Sequence, residues 1–250
     1  MKKNLHSSNL VEMWGDFIDW EARRKGENGF LENTLRENKC TKIFDSTLGD
    51  GCDSVHLIKK GFDVTSNEVD SNFLAKAIQN SKNHNVKLKV TEHDWRNVSE
   101  HLGINVFDAV LCLGNSIAYL FKKNDRLKSI KEFFRILKPG GILIIDERNH
   151  RYLLNNREEI LNGNFKYKGK YVYCGKHVKG FPIEISDDLF KMKYVDNRNG
   201  KFASLDIYPY KENELENELK NAGFADITLF ADYSKTPEGT PDFFQYIAKK

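Results

Sequence analysis

The chain has 250 residues, of which 39 are basic and 36 acidic, and its formal net charge is +3. This length suits one α/β domain with a subsidiary element, and the near balance of mixed charges makes nucleic acid a poor candidate partner. No apolar run approaches the ~18 residues needed to span a bilayer, and no apolar signal core follows the start, so we expect a cytoplasmic protein without a membrane contact.

The first predicted element is a helical leader. Residues 10–35 have the apolar spacing of an amphipathic helix and carry Trp14, Phe17 and Trp20. We therefore assign residues 1–40 to a helical leader that lies over the ligand site of the domain.

Residues 41–150 alternate between short apolar runs rich in branched side chains and longer amphipathic stretches. This alternation is typical of parallel strands linked by helices. Strands are predicted at 41–45, 62–67, 86–91, 107–113 and 141–146, and helices at 53–60, 71–82, 96–101 and 125–137. The segment is therefore predicted to be the Rossmann-like core of a doubly wound α/β fold.

The alternation of predicted strands and helices ends after residue 150. Residues 171–173, 190–195 and 202–208 alternate in polarity as antiparallel strands do, and residues 196–200 have the composition of a hairpin turn. We assign residues 151–210 to an antiparallel insertion on the substrate side. Residues 211–250 are predicted to form a helix at 212–222 and strands at 226–230 and 243–248, which complete a seven-stranded sheet.

Polar and glycine residues follow the first two strands, where an open parallel sheet binds its ligands. Gly49 and Gly51 lie in the turn after the first strand and let a ligand approach the backbone closely. Glu68 ends the second strand, where a carboxylate can accept hydrogen bonds from ribose hydroxyls. An ordinary surface glutamate is the alternative for Glu68. Asp50 would repel a pyrophosphate, so the turn favours the cationic cofactor S-adenosylmethionine (SAM) over a nicotinamide dinucleotide.

The third and fourth strands end in similarly polar turns. Asp94 and Trp95 follow the third strand and offer an acceptor for an adenine amino group beside an indole that can cover the ring. Leu113-Gly114-Asn115-Ser116 follows the fourth strand and suits contacts with both cofactor and substrate. Neither a zinc knuckle nor a redox motif is indicated, because no CxxC pair occurs among the cysteines, which are Cys40, Cys52, Cys112 and Cys174.

These turns, together with the Asp146-Glu147-Arg148-Asn149 segment, carry a family resemblance. The chain resembles the glycine N-methyltransferases and, more closely, the bacterial and archaeal glycine/sarcosine N-methyltransferases. The likeness runs from residues 14–23 of the leader to residues 241–244 near the end. It implies a SAM-dependent enzyme that methylates the amine of glycine or sarcosine, as in betaine biosynthesis, by direct in-line transfer without a metal. A methyltransferase for another small amine and a non-catalytic SAM sensor remain as alternatives.

The resemblance also implies roles for individual residues. Arg23 matches a position that holds the SAM carboxylate, and Arg148 one that holds the acceptor. Tyr119 stands where the family usually has a histidine, at the face where cofactor and acceptor meet. The sequence leaves open whether the protein is a monomer or a small homo-oligomer. The implied cofactor residues are Trp14, Arg23, Thr47, Gly49, Gly51, Glu68, Asp94, Trp95 and Leu113, and the implied acceptor and catalytic residues are Asn115, Arg148, Tyr119, Tyr173 and Tyr208.

Overall fold

Two β-sheets organise the protein, whose computed structural model describes residues 6–164, 177–236 and 239–250. The strands of this described part are β1 (Lys42–Asp45), β2 (Asp63–Asn67), β3 (Lys89–Thr91), β4 (Phe107–Cys112), β5 (Leu137–Arg148), β6 (Val178–Ile185), β7 (Phe190–Asp196), β8 (Phe202–Ile207), β9 (Ala225–Ala231) and β10 (Phe243–Lys249). Seven of them form a mixed sheet in the order β3-β2-β1-β4-β5-β10-β9, and the other three form the separate sheet β6-β7-β8.

Helices cover the large sheet and connect its strands. They are α1 (Ser8–Phe17), α2 (Trp20–Glu27), α3 (Phe30–Glu37), α4 (Cys52–Lys59), α5 (Ser71–Asn83), α6 (Val98–Leu102), α7 (Lys123–Ile136), α8 (His150–Asn155), α9 (Arg157–Glu159) and α10 (Glu214–Ala222). Within the ranges that the structure describes, no helix is both long and apolar enough to cross a membrane. The predicted doubly wound Rossmann-like fold is confirmed, because parallel strands β1 to β5 alternate with helices.

The order of the strands creates the ligand edge of the sheet. Strand β1 pairs with β2 on one side and with β4 on the other, and all three run parallel. The connection from β1 to β2 and the later connection from β3 to β4 therefore lie on opposite sides of β1. A crevice opens between them, beyond the carboxyl ends of the strands. The strands that hold this edge in place are buried, as Ile43 and Phe44 of β1 are fully inaccessible to solvent.

The predicted leader forms three helices instead of one continuous helix. The first break separates α1 from α2. Asp19 ends it, because its side chain accepts the backbone N–H of Ala22 at 2.9 Å and so caps α2. Asn28 and Gly29 adopt left-handed backbone conformations, with φ of 48° and 76°, and separate α2 from α3. These breaks let the leader wrap around the ligand edge, and α1 packs against both α5 and the small sheet.

The small antiparallel sheet lies within the predicted insertion. Strands β7 and β8 and the turn between them agree with the prediction, and Asp196 closes the turn by donating its N–H to the carbonyl of Lys201 at 2.9 Å. Strand β6 and helix α8 were not predicted from the sequence. The strand predicted at 171–173 lies outside the described residues. Strand β7 buries every second residue, which gives the sheet one apolar face.

A buried arginine fastens helix α7 to helix α10. Arg126 is 1% exposed, and its guanidinium lies 2.9 Å from Glu218 and 2.7 Å from Glu214. The same group donates to the backbone carbonyls of Leu120 and Phe121 at 3.2 and 3.0 Å. Because the guanidinium binds carboxylates of α10 and carbonyls of the turn before α7 at once, it fixes that turn relative to α10.

Removing this guanidinium should destabilise the whole domain. Arg126→Ala leaves the buried carboxylate of Glu218 without its cation, so we expect the free energy of unfolding to fall by about 3 to 5 kcal/mol. Arg135→Ala is the matched control, because Arg135 pairs with Glu132 at 2.9 Å but its side chain is 53% exposed. That variant should lose less than about 1 kcal/mol. Urea unfolding of the two variants measures the difference, and equal losses would contradict the structural role of Arg126.

Candidate active site

A cavity of about 600 Å³ opens at the ligand edge of the large sheet. It is bounded by the turns after β1, β2, β3 and β4, by the end of β5, and by residues of α1, β7 and β8. This volume lies in the range of sites that hold small ligands and cofactors. The predicted site residues that line it are Trp14, Arg23, Thr47, Gly49, Glu68, Asp94, Trp95, Leu113, Asn115, Tyr119 and Arg148.

The turn after β1 is held by a buried carboxylate. Asp45 accepts hydrogen bonds from the backbone N–H of Thr47 at 3.0 Å and from the hydroxyl of Ser54 at 2.6 Å. Burial raises the pKa of Asp45 to about 6. Gly49 lines the cavity, whereas Gly51 lies behind it at the start of α4. Its φ of 96° favours glycine, so Gly51 shapes the turn without touching the cavity wall.

Glu68 joins the turns after β1 and β2. One carboxylate oxygen accepts the N–H of Gly49 at 2.9 Å, and the other accepts the N–H of Asp70 at 2.8 Å. Burial raises the pKa of Glu68 to about 7, although these two hydrogen bonds favour the charged form. Each oxygen keeps a second lone pair, so the ionised carboxylate can still accept from a pair of neighbouring hydroxyls.

Charged side chains of the leader and of α4 form the neighbouring wall. The guanidinium of Arg23 lies 3.0 Å from Asp53 and 2.8 Å from Glu27. Burial alone would lower the pKa of Arg23, but these two carboxylates hold it well above its usual value. Asp50 is 4% exposed and accepts the indole N–H of Trp20 at 2.9 Å. The wall therefore presents a permanent cation beside a carboxylate that is oriented by an indole.

The turn after β3 forms the opposite rim of the cavity. The indole N–H of Trp95 donates to the carbonyl of Ser46 at 2.9 Å, which fixes the ring against the turn after β1. Asp94 accepts from the guanidinium of Arg96 at 2.9 and 2.6 Å and from its backbone N–H at 2.9 Å. The carboxylate predicted to face an adenine amino group is thus already engaged by a neighbour in this structure.

A second buried carboxylate ties the end of β4 to the end of β5. Asp146 accepts the N–H groups of Gly114 and Asn115 at 3.0 and 2.5 Å. The amide oxygen of Asn115 in turn accepts the backbone N–H of Arg148 at 3.0 Å. Burial raises the pKa of Asp146 to about 6. The guanidinium carbon of Arg148 lies 5.4 Å from the ring centre of Phe243, so an aromatic face supports the cation at the cavity wall.

Tyr119 lies at the end of the short turn that follows β4 and lines the same cavity. Burial raises the pKa of its phenol above the usual value, and the negative charges of Asp146 and Glu68 act in the same direction. Tyr119 therefore stays a neutral hydroxyl that can donate one hydrogen bond and accept others near pH 7.

Of the two implied acceptor tyrosines, the structure places Tyr208 away from the cavity wall and does not describe Tyr173. Tyr208 does not line it, since its hydroxyl donates to Glu214 at 2.9 Å and the guanidinium of Arg126 lies 4.0 Å from its ring centre. Its backbone N–H donates to the carbonyl of Ala118 at 2.8 Å, so Tyr208 supports the turn that carries Tyr119. Tyr173 lies outside the described residues.

The cavity also has walls that the sequence did not single out. Apolar residues of β7 and β8 form a roof, and His6 reaches the cavity from the segment before α1. Alternation along β7 could have identified the roof, because residues 190, 192 and 194 share one face. No sequence signal pointed to His6. The roof residues are Met192, Tyr194, Leu205 and Ile207.

The residues present fit SAM. Glu68 retains acceptor capacity for ribose hydroxyls, and the backbone of Gly49 lies open to the cavity beside it. Arg23 keeps a full positive charge suited to a carboxylate. The other buried charged residues that line the cavity are the carboxylates Asp50, Asp53, Asp70 and Asp146 and the cation Arg148. The carboxylates suit a ligand that carries positive charge and would oppose a pyrophosphate.

Comparisons with known proteins also support SAM as the cofactor. Residues 43–141 match the family model described as a methyltransferase domain. The glycine/sarcosine N-methyltransferase of Aphanothece halophytica is 36% identical over 249 residues, which cover 99% of this chain and 91% of that protein. The enzyme of the same description from Halorhodospira halochloris is 34% identical over 242 residues, which cover 96% of this chain and 87% of that protein. A SAM-dependent methyltransferase structure from Clostridium acetobutylicum superposes with a TM-score of 0.70 at 22% identity, and the match covers 96% of this chain and 95% of that one.

The raised pKa of Glu68 predicts that SAM affinity depends on pH. Only the ionised carboxylate accepts from both ribose hydroxyls, so lowering the pH from 8 to 6, through the pKa of about 7, should weaken binding. A single group with this pKa predicts roughly a tenfold loss of affinity. Calorimetry at both pH values measures it.

The matched variants are Glu68→Gln and Glu100→Gln, since Glu100 is exposed on α6. Glu68→Gln should bind SAM about 1.5 to 3 kcal/mol more weakly at pH 8 and lose most of the pH dependence. Glu100→Gln should behave as the parent does. An unchanged pH dependence in Glu68→Gln would remove Glu68 from the ribose site.

Proposed function

The chain belongs to the glycine/sarcosine N-methyltransferase family of SAM-dependent methyltransferases, and we propose that it methylates the amine of glycine, sarcosine or both. The observation that carries this proposal is one continuous cavity that reaches from Glu68, after β2, to Arg148, at the end of β5. Groups suited to a ribose and groups suited to an amino-acid carboxylate thus line the same space. Direct transfer between two bound molecules requires such an arrangement.

We assign the cofactor half of the cavity to the turns after β1, β2 and β3 and to the leader. Glu68 would accept the ribose hydroxyls, Arg23 would hold the cofactor carboxylate, and Trp95 would cover the adenine. When bound, SAM supplies a methyl group on a positively charged sulfur. Trp14 would exclude water there, because its ring packs edge to face against Phe73 at 6.0 Å and against Tyr194 at 6.1 Å. The remaining residues assigned to the cofactor are Thr47, Gly49, Gly51, Asp94 and Leu113.

The acceptor half belongs to the ends of β4 and β5. Arg148 would grip the acceptor's carboxylate with two parallel N–H groups, which selects amino acids over plain amines. Its backbone is positioned by the amide of Asn115, and Tyr119 would face the amine from the turn after β4. Since the carboxylate does not react, this grip contributes mainly to binding and to orientation of the nitrogen.

The small sheet would close the acceptor half from above. Met192 and Tyr194 of β7 and Leu205 and Ile207 of β8 give it an apolar roof over the charged wall. An apolar roof excludes water, and it tolerates the N-methyl group of sarcosine better than a polar one would. We accordingly propose the leader (1–40), core (41–150), insertion (151–210) and closing segment (211–250) as functional units.

We further infer that the enzyme acts in the cytoplasm. Cys40, Cys52 and Cys112 are buried free thiols, a state that is typical of reducing compartments, and Cys174 lies outside the described residues. The acceptor is a small molecule, and either a monomer or a small homo-oligomer is compatible with the cavity, because residues of one chain line it.

Product analysis tests the proposed function directly. The protein is incubated with SAM and, in turn, glycine, sarcosine or dimethylglycine, and the products are identified by mass spectrometry. We expect methylation of glycine, sarcosine or both. Efficient methylation of methylamine with no product from glycine would favour the alternative of another small amine. SAM binding without any methylated product would favour a sensor.

Replacing Arg148 should affect the acceptor more than the cofactor. A bidentate pair in a partly buried site contributes on the order of 2 to 4 kcal/mol, so Arg148→Ala should raise the acceptor KM at least about thirtyfold. The effect on kcat should be smaller. Arg148→Lys should recover part of the loss, because a point charge does not reproduce the planar fork. Steady-state kinetics and SAM calorimetry provide the measurements, and an unaltered acceptor KM in Arg148→Ala would exclude this role.

A further inference from the structure

Hydrogen bonds to the start of α5 hold the backbone of His6 just before helix α1. Its backbone N–H donates to a carboxylate oxygen of Asp70 at 2.8 Å, and its carbonyl accepts from the side-chain amide of Asn72 at 3.2 Å. Asp70 is 1% exposed and also caps helix α5 by accepting the N–H groups of Asn72 and Phe73. The chain before α1 is therefore anchored on a fixed point at the start of α5.

This anchor presents the imidazole of His6 to the cavity. The ring meets Phe73 edge to face at 5.4 Å between centres and meets Tyr119 in the same manner at 5.8 Å. It is one of the groups that line the cavity. No described residue forms a hydrogen bond with either ring nitrogen. An imidazole with a free lone pair thus lies next to Tyr119, on the side of the cavity where we place the amine.

Most other bases of the cavity already have hydrogen-bond or ion-pair partners within the described part of the chain, and Glu68 is assigned above to the ribose. Each buried carboxylate that lines it accepts hydrogen bonds or pairs with a cation, and Glu92 is exposed at the rim. His93 lies in the turn after β3, on the side of the cavity assigned to the cofactor, and its ring is stacked on that of His101 at 4.1 Å. The occupied carboxylates are Asp50, Asp53, Glu68, Asp70, Asp94 and Asp146.

The reaction needs such a base, because an amino acid near neutral pH arrives with its amine protonated and an ammonium has no lone pair. Burial lowers the pKa of His6, and Asp70 opposes this only in part, so the imidazole is neutral at pH 7. The groups that face the ring are Asp70 from α5 and the neutral phenol of Tyr119, beyond which lie Glu68 and Asp146.

We propose that His6 takes the proton from the acceptor's ammonium group, an inference that rests on the proposed function. An N–H bond of the ammonium breaks, and its proton bonds to the lone pair of a His6 ring nitrogen. The acceptor nitrogen keeps the electron pair of that bond and uses it to bond the methyl group, whose bond to the cofactor sulfur would break with its electron pair left on the sulfur. The imidazolium then gives its proton to water, which restores the neutral ring, and one proton is released per methyl group transferred.

The first test is the pH profile of His6→Gln, which keeps a polar side chain but removes the base. At pH 7 we expect kcat with glycine to fall about 100-fold, within the range for general base catalysis. The loss should shrink to less than about tenfold at pH 9.5, where more of the glycine carries a neutral amine. SAM affinity should stay within about twofold of the parent value, which verifies the fold.

The matched control is His177→Gln, because His177 lies just before β6 and does not line the cavity. It should have the parent's kcat at both pH values. A loss in His6→Gln that is constant between pH 7 and 9.5, or one below about threefold at pH 7, would overturn the proposal. Absence of methylated glycine from the parent itself would instead overturn the proposed function.

A second measurement needs no variant. The ring of His6 is titrated by NMR in the parent protein bound to the demethylated cofactor product, with and without glycine. If the ammonium lies beside the ring, its charge should lower the imidazole pKa by roughly half a unit or more. An unchanged titration at saturating glycine would show that the amine lies elsewhere and would overturn the proposal.

Discussion

The carboxylate of Asp146 is the point on which the acceptor half of the cavity depends. It accepts two consecutive backbone N–H groups from the turn after β4 and so locks that turn to the end of β5. The amide of Asn115, which this lock orients, then accepts the backbone N–H of Arg148. One buried acid thereby fixes the turn that leads to Tyr119 in position relative to Arg148, the cation proposed to hold the acceptor's carboxylate. Because β4 and β5 are buried where they lead into this turn, neither strand can shift to compensate for its loss.

The same construction, an acid that accepts backbone N–H groups, occurs after β1 with Asp45 and after β2 with Glu68. Burial raises the pKa of all three acids, which means that ionisation is disfavoured in the folded chain. An acid whose folded pKa exceeds its unfolded value binds more protons when folded, so stability declines as the pH rises between the two values. For Glu68 that interval ends near pH 7. The site thus keeps charges that cost stability, and a cationic ligand would offset that cost.

The sequence predicted the parts of the site that depend on local order. Strand ends are marked by where an apolar run stops, and the edge that they share follows from parallel pairing, so Glu68, Trp95 and Asn115 could be brought together in advance. Tyr208 could not be placed, because its contacts come from Arg126 and Glu214 on two separate helices. His6 was missed for a similar reason, since its position depends on Asp70, which is distant in sequence. Contacts of this kind are decided by tertiary packing, on which periodicity carries no information.

Residues outside the cavity nevertheless determine its shape. Arg126 holds the carbonyls of Leu120 and Phe121, and the backbone of Tyr208 holds the carbonyl of Ala118. Tyr119 lies between these anchored positions, so its backbone is held from both sides. His6 packs against that ring and is itself anchored on α5. The leader, the core and the insertion therefore meet at the short turn that carries Tyr119. A change in any of the three segments would reach the position proposed for the amine through Tyr119, whether or not the altered residue touches the acceptor.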